Sequence, residues 1–205
     1  MNKFARSLLF LFVPLVTAYG QDANGTSTVT FGLGAGRPIQ HTGISGGPQL
    51  NGNYEYRLSK HWALEFGVNT TLVTAPTTVV TATLPAGTTL GTYSTLNYAF
   101  NYSTKQTFAA SMPFGLKGMW PLAQGRLELF AGGGGTHLWD PNPYGTVYGS
   151  GAGGFGLQGT LGARMAIDKQ RRFWLGSTGR FTAVNRAYPS QWITWTADLG
   201  FRFGH

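Results

Sequence analysis

The sequence has no cysteine. That removes disulfides, thiolate nucleophiles and cysteine-ligated metals as means of stabilising or using an exported fold. Charge is also scarce, at 11% of residues, while glycine numbers 31; this composition fits neither a charge-solvated disordered chain nor a typical soluble enzyme. Beyond the first 20 residues no apolar run is long enough for a spanning helix. The formal net charge is +8, yet no basic run exceeds Arg171-Arg172 and no nucleic-acid-binding signature accompanies it, which argues against a nucleic-acid partner. Part of that excess, Lys3 and Arg6, lies at the N-terminus, and Lys60, Lys169, Arg171 and Arg172 fall in two short turns.

Residues 1–20 have the layout of a cleaved signal peptide. Lys3 and Arg6 precede an apolar run over 8–16, and Ala18-Tyr19-Gly20 offers the small residues that a signal peptidase reads. The expectation is an exported chain with one domain over 21–205, since no Pro-rich, Ser-rich or charged linker divides it.

What the chain does have is alternation. Over 193–203 the residues Ile193, Trp195, Ala197, Leu199, Phe201 and Phe203 are apolar, while Thr194, Thr196, Asp198, Gly200 and Arg202 are polar or tiny. A tilted strand needs about 9–11 residues to cross the hydrocarbon of a bilayer, which is the length seen here. The pattern recurs over 49–58, 62–72, 107–120 and 155–167, and with weaker contrast over 29–35, 127–135 and 173–183. The set predicts an all-β, antiparallel up-and-down transmembrane barrel of eight strands, with ten as the alternative. A soluble barrel with the oily faces turned inward is the competing arrangement, but it would crowd many Trp, Phe and Tyr rings into one interior.

Charge sorts by face. The oily faces carry no Asp, Glu, Lys or Arg, as expected when one such cation at mid-bilayer costs about 2–4 kcal/mol. The wet faces hold Glu55, Arg57, Glu65, Lys117, Glu128, Arg164, Arg180, Asp198 and Arg202. Signs so nearly balanced predict an internal salt-bridge network in a lumen narrow enough to be filled by side chains. Gly67, Gly115, Gly156, Gly162, Gly176 and Gly200 share that face and leave room for long arginines.

Connections are expected to alternate between short ones, over 59–61, 121–126 and 168–172, and mostly longer ones, over 36–48, 73–106, 136–149 and 185–191. That order places Tyr54, Tyr56, Trp62, Trp120, Phe173, Phe201 and Phe203 in an aromatic girdle at the short-turn end. Trp192 and Trp195 would form a second girdle at the other end.

With these strands, faces and connections, residues 21–205 resemble the small OmpA/OmpX-type outer membrane proteins. The resemblance implies an outer membrane location in a Gram-negative bacterium, short turns in the periplasm, and contact with outer membrane lipid and lipopolysaccharide. It also implies that the barrel assembly machinery reads the alternating last strand, here Trp195, Ala197, Leu199, Phe201 and Phe203. Gly204-His205 depart from the pattern by following the aromatic that usually ends such chains.

The 73–106 segment is long for a simple loop. Its Thr-rich halves, 77–84 and 88–102, flank Pro85-Ala86-Gly87 as in a hairpin, which either spans the membrane or protrudes as an external flap able to pair with a partner protein's strand. Gly151, Gly153 and Gly156 spell GxGxxG, but an alternating strand follows where a phosphate-binding helix would have to begin. His41, His61, His137 and His205 show no ligand spacing, so neither metal nor cofactor is expected. A lipid-modifying enzyme would have to draw on His137 with Asp140, or His41 with Ser45, and neither pair matches a recognisable motif. The three Asn-X-Ser/Thr sequons carry no implication in such a setting. The reading is therefore a structural or interaction barrel that is not an enzyme, with a narrow solute pore as the alternative.

Overall fold

Alternating sequence becomes a closed ring of strands in the computed structural model, which describes residues 25–39, 44–83, 97–140, 152–185 and 190–204. The strands are β1 Ser27–Pro38, β2 Gly47–Arg57, β3 Trp62–Thr83, β4 Asn97–Leu122, β5 Leu127–Asp140, β6 Ala152–Ala166, β7 Phe173–Val184 and β8 Ser190–Phe203. Each pairs antiparallel with its chain neighbours, and β8 returns to β1, for example through Gly32↔Asp198 and Ser27↔Phe203. No sheet edge is left along the barrel wall, which answers the need to satisfy backbone groups without water. Residues 1–20, read as a signal peptide, lie outside the described residues.

Of the two hairpin arrangements that the sequence allows over 73–106, the protruding one is found. Strands β3 and β4 run into this segment and stay paired from Val73↔Thr107 to Thr83↔Asn97, so the barrel has eight strands and not ten. β2 stops pairing with β3 at Gln49↔Thr71, and β5 stops pairing with β4 at Trp139↔Ala110, apart from one bridge between Ser45 and Thr74. Beyond that level β3 and β4 pair only with each other among the described residues, as a ribbon rising from the wall. The Pro85-Ala86-Gly87 turn lies outside the described residues.

Period-two alternation decides what faces out. Phe31, Leu33, Phe108, Phe155 and Leu157 are among the most exposed side chains, at 66–74%, whereas Glu55, Glu65, Glu128 and Asp198 are at most 4% exposed. A soluble barrel would show the reverse, so the inward-facing arrangement of the oily faces is ruled out. Among the described residues, exposed charged side chains lie at or beyond the rims of the wall, with Arg37 and, on the β3–β4 extension, Lys105 at one end and Lys60 and Arg126 at the other.

Two local irregularities have identifiable causes. The β3–β4 ladder skips from Phe66↔Phe114 to Asn69↔Ser111; Pro113 lies in the gap and has no N–H to give. At the top of β2 the register slips by one, since Gln49 faces Thr71 while Ser45 faces Thr74. The extra residue is taken up at Gly46-Gly47, where added Cβ atoms would meet the carbonyls of Gly36 and Leu72 at 2.3 and 2.1 Å. The slip reverses the alternation and turns Ile44 into the barrel, where it is 8% exposed.

Candidate functional site

The barrel interior is the site, and it is layered. Toward the short-turn end, register places Glu55 directly beside Glu65 across β2 and β3, and Glu128 beside Arg164 across β5 and β6. Two adjacent carboxylates would repel. Lys117 of β4 resolves this by placing its Nζ 3.3 Å from Glu55 and 3.2 Å from Glu65. Arg164 bridges onward, with Nη2 2.6 Å from Glu55 and Nε 2.8 Å from Glu128. Glu128 also accepts from Arg57 and from Arg202, the latter at 2.8 Å. Glu65 accepts from Arg180, whose Nη1 reaches Asn69 Oδ1 at 2.8 Å. Eight of the nine charges predicted for the lumen thus form one connected chain across it.

Asp198 is the ninth, and it stands apart. It accepts from Thr178 and, at 3.2 Å, from Asn51 Nδ2, while among the described residues no cation lies within ion-pair distance. The connected chain holds five cations and three glutamates, and the surplus rests on aromatic faces. Arg202 lies 4.1 Å over the Trp174 ring, Arg164 5.3 Å over the same ring, and Lys117 4.5 Å over Phe130. A ring's negative face is a fitting partner for a cation already stripped of water. The small wet-face residues leave this room: a Cβ on Gly176 would sit 2.8 Å from Arg164 Cβ, and one on Gly162 would sit 2.5 Å from the Phe130 ring.

Above the ion pairs the interior passes through buried uncharged polar residues, among them Gln49, Thr71, Thr136 and Thr182, to an apolar layer. Ile44, Val73, Ala75, Ala109, Leu138, Val184 and Trp192 pack together at the ribbon end. Trp192 is 3% exposed, with its indole N–H donating to Ser190 Oγ at 2.9 Å. The expectation of Trp192 in an outer girdle is therefore wrong: its place in the β8 alternation, in step with Thr194, Thr196 and Asp198, turns it inward. The remaining girdle residues, Tyr54, Tyr56, Trp62, Trp120 and Phe173, stand on outward-facing positions at the short-turn end, with Trp62 and Trp120 about half exposed. Trp195, Ala197, Leu199 and Phe201 line the outer face of β8 with Phe203 at its end.

Little space remains between these side chains. A cavity of about 20 Å³ lies among Thr30, Asn53, Glu55, Glu65 and Lys117, and one of about 10 Å³ lies beside Arg180, Thr182 and Trp192. Each has room for about one water molecule.

The tempting motifs dissolve in the fold. Gly153 and Gly156 are strand residues of β6, paired with Trp139 and Val184, and strand follows them; Gly151 lies outside the described residues. His137 sits between Trp139 and Phe155, with ring centroids at 3.9 and 4.5 Å. His41 lies outside the described residues, and Ser45 bonds to the Thr74 backbone. Among the described residues no three metal-ligating side chains come together.

A closed ring with ionic interior and apolar exterior can be compared with known proteins. The Yersinia pestis attachment invasion locus protein Ail, solved in complex with the heparin analogue sucrose octasulfate, superposes with a TM-score of 0.53 at 13% identity, covering 88% of this chain and 99% of that one. OprG of Pseudomonas aeruginosa gives 0.55 at 10%, covering 89% and 98%. The N-terminal barrel domain of OprF from the same organism gives 0.53 at 11%, covering 89% and 100%. The fold is that of the small eight-stranded outer membrane barrels. No protein-family model matches the sequence, and no curated protein does.

Proposed function

We propose that this chain is an outer membrane β-barrel, closed to bulk flow by its own side chains, that serves the envelope as a structural and surface-interaction protein. The observation that carries the reading is the sorting of charge: an apolar belt outside, and inside a continuous chain of ion pairs from Arg202 through Glu128, Arg164, Glu55, Lys117 and Glu65 to Arg180. An apolar belt needs lipid, and an ionic chain filling a lumen needs closure to exclude competing water. Residues 1–20 supply the export signal, and the outer face of β8 supplies the segment that the assembly machinery engages. The reading assigns no catalytic role.

The surface role falls to the ribbon of β3 and β4. Ail is a protein solved with a polyanionic ligand, whereas this ribbon carries one lysine at its base, Lys105 opposite Ala75, and no Asp, Glu, Lys or Arg between Thr74 and Thr104. Its recognition chemistry is backbone. Beyond Lys105 two uncharged strand edges outside the barrel suit an extended segment of a partner protein, added as a further strand.

Two measurements test this. The folded barrel should migrate faster than its boiled form in detergent gels, and in planar bilayers it should show no sustained open level; a steady conductance in the unmodified protein would replace the plug with a narrow pore. Recovery in the soluble fraction would remove the membrane reading altogether.

A further inference from the structure

Glycines on the outer wall fall into two groups. Gly135, Gly153 and Gly179 are roofed by neighbouring rings: an added Cβ would lie 2.3 Å from Phe114, 3.0 Å from Trp139 and 2.8 Å from Trp195. Gly133 and Gly159, opposite each other across β5 and β6, have no side chain over them. At Gly133 a Cβ would meet only the Gln158 carbonyl, at 3.2 Å; at Gly159 the nearest atom is the Gly132 carbonyl, at 4.0 Å. With Ala131, exposed two residues before Gly133, they leave a bare strip in the wall, bordered by Gly118, where the Trp120 ring would lie 3.4 Å from a Cβ. Its lower part is a furrow of about 390 Å³ between Trp62, Leu116 and Trp120, with His61 at its foot. That volume is in the range of small-molecule sites, about 300–1,000 Å³.

The foot of the furrow is basic. Lys60 and Arg126, in the turns at the ends of the flanking strands, are exposed, and Lys169, Arg171 and Arg172 follow in the next short turn against one acid, Asp168. The Arg171 guanidinium reaches across to the Gly125 turn, within 3.0 Å of where a Cβ would stand. An acyl chain laid along bare backbone would recover the contacts that side chains make elsewhere on the wall, while an anionic headgroup would meet these cations.

We propose that the furrow holds one anionic phospholipid of the leaflet nearest the short turns, its acyl chain beside Trp120 along Ala131 and Gly133 and its phosphate at Lys60 and Arg126. This rests on the membrane reading above. A second copy of the chain fits less well, because docking there would bring two cationic rims together.

The test uses the full barrel in detergent micelles doped with phosphatidylglycerol or phosphatidylcholine of the same acyl chains, with retained lipid counted by native mass spectrometry. One phosphatidylglycerol per barrel should survive, retained about tenfold better than phosphatidylcholine. Gly133→Leu should abolish that retention. Lys60→Gln with Arg126→Gln, two exposed changes that leave the wall intact, should lower it to the phosphatidylcholine level. Equal retention of the two lipids, undiminished retention in the paired rim variant, or a two-copy species that Gly133→Leu disperses would each overturn the proposal. An unmodified chain that lacks a heat-dependent gel shift would instead bring down the membrane reading, before any lipid is counted.

Discussion

Two layers of the barrel interior, one toward each end, fill the same kind of space by opposite chemistry. Below, carboxylates and guanidiniums lock into a chain in which Glu128 alone serves three arginines; above, Trp192 and its neighbours meet as an ordinary apolar cluster. The ionic layer is directional and intolerant, because removing one partner strands a buried charge. The apolar layer is non-directional, and its contributions are spread over many weak contacts. One lumen therefore has a brittle layer and a forgiving one.

The sharpest way to break the comparison is at Glu128. Glu128→Gln keeps the shape but leaves Arg57, Arg164 and Arg202 facing one another, and should cost about 5 kcal/mol, at the upper end for a broken buried pair. Urea unfolding in lipid vesicles, followed by gel mobility, should show this as a large drop in midpoint. A loss under about 1 kcal/mol would mean that water, not Glu128, neutralises these arginines.

Trp192→Ala probes the other layer and should cost about 3 kcal/mol in the same assay, the lower end for a large-to-small aromatic change. Trp192→Phe should restore most of it, which no neutral substitution at Glu128 can do. In planar bilayers Trp192→Ala should still be silent, because the ionic layer stays shut.

The smallest effect lies outside both layers. Asp168, in the turn before β7, accepts the backbone N–H groups of Phe173 and Arg172 at 2.8 and 3.1 Å. Slight desolvation pushes its pKa up, and these N–H groups outweigh that and bring it below the ordinary aspartate value. A lowered folded pKa gives stability that is full above the unfolded value, about 3.9, and is lost as pH falls through the folded one. Asp168→Asn should therefore be slightly less stable than the parent at neutral pH and indistinguishable from it at strongly acidic pH. A gap that persists in acid would trace to the amide's geometry, not to the charge.

Much of this was legible in the chain because a strand in a wall has only two faces. The parity that placed Glu55, Glu65 and Lys117 on one face needs no tertiary knowledge. The same parity holds Trp174 in step with Gly176, Thr178 and Arg180, and Trp192 in step with Asp198, so both were readable as interior. They are obscured by the general rule that aromatics of a membrane barrel seek the interface. Ile44 could not be read this way, because a register slip at Gly46-Gly47 reverses the alternation and depends on the partner strand. Nor could the sequence separate Asp198 from the connected chain: which acid meets which cation depends on positions across the lumen, not along a strand. The Thr-rich halves of 73–106 show a hairpin, but whether it spans or protrudes depends on where β2 and β5 stop pairing, which the segment's own residues do not state.

Most of the ion pairs join strands that are not neighbours in the wall: Arg57 of β2 with Glu128 of β5, Glu55 of β2 with Arg164 of β6, Glu65 of β3 with Arg180 of β7. An unfinished sheet cannot make them. A half-assembled chain keeps those charges hydrated and gains nothing from them, and the full set appears only when β1 finds β8. The lumen then works as a latch: it leaves early intermediates unrewarded, engages at the moment the ring shuts, and must be broken as a unit before the ring can reopen.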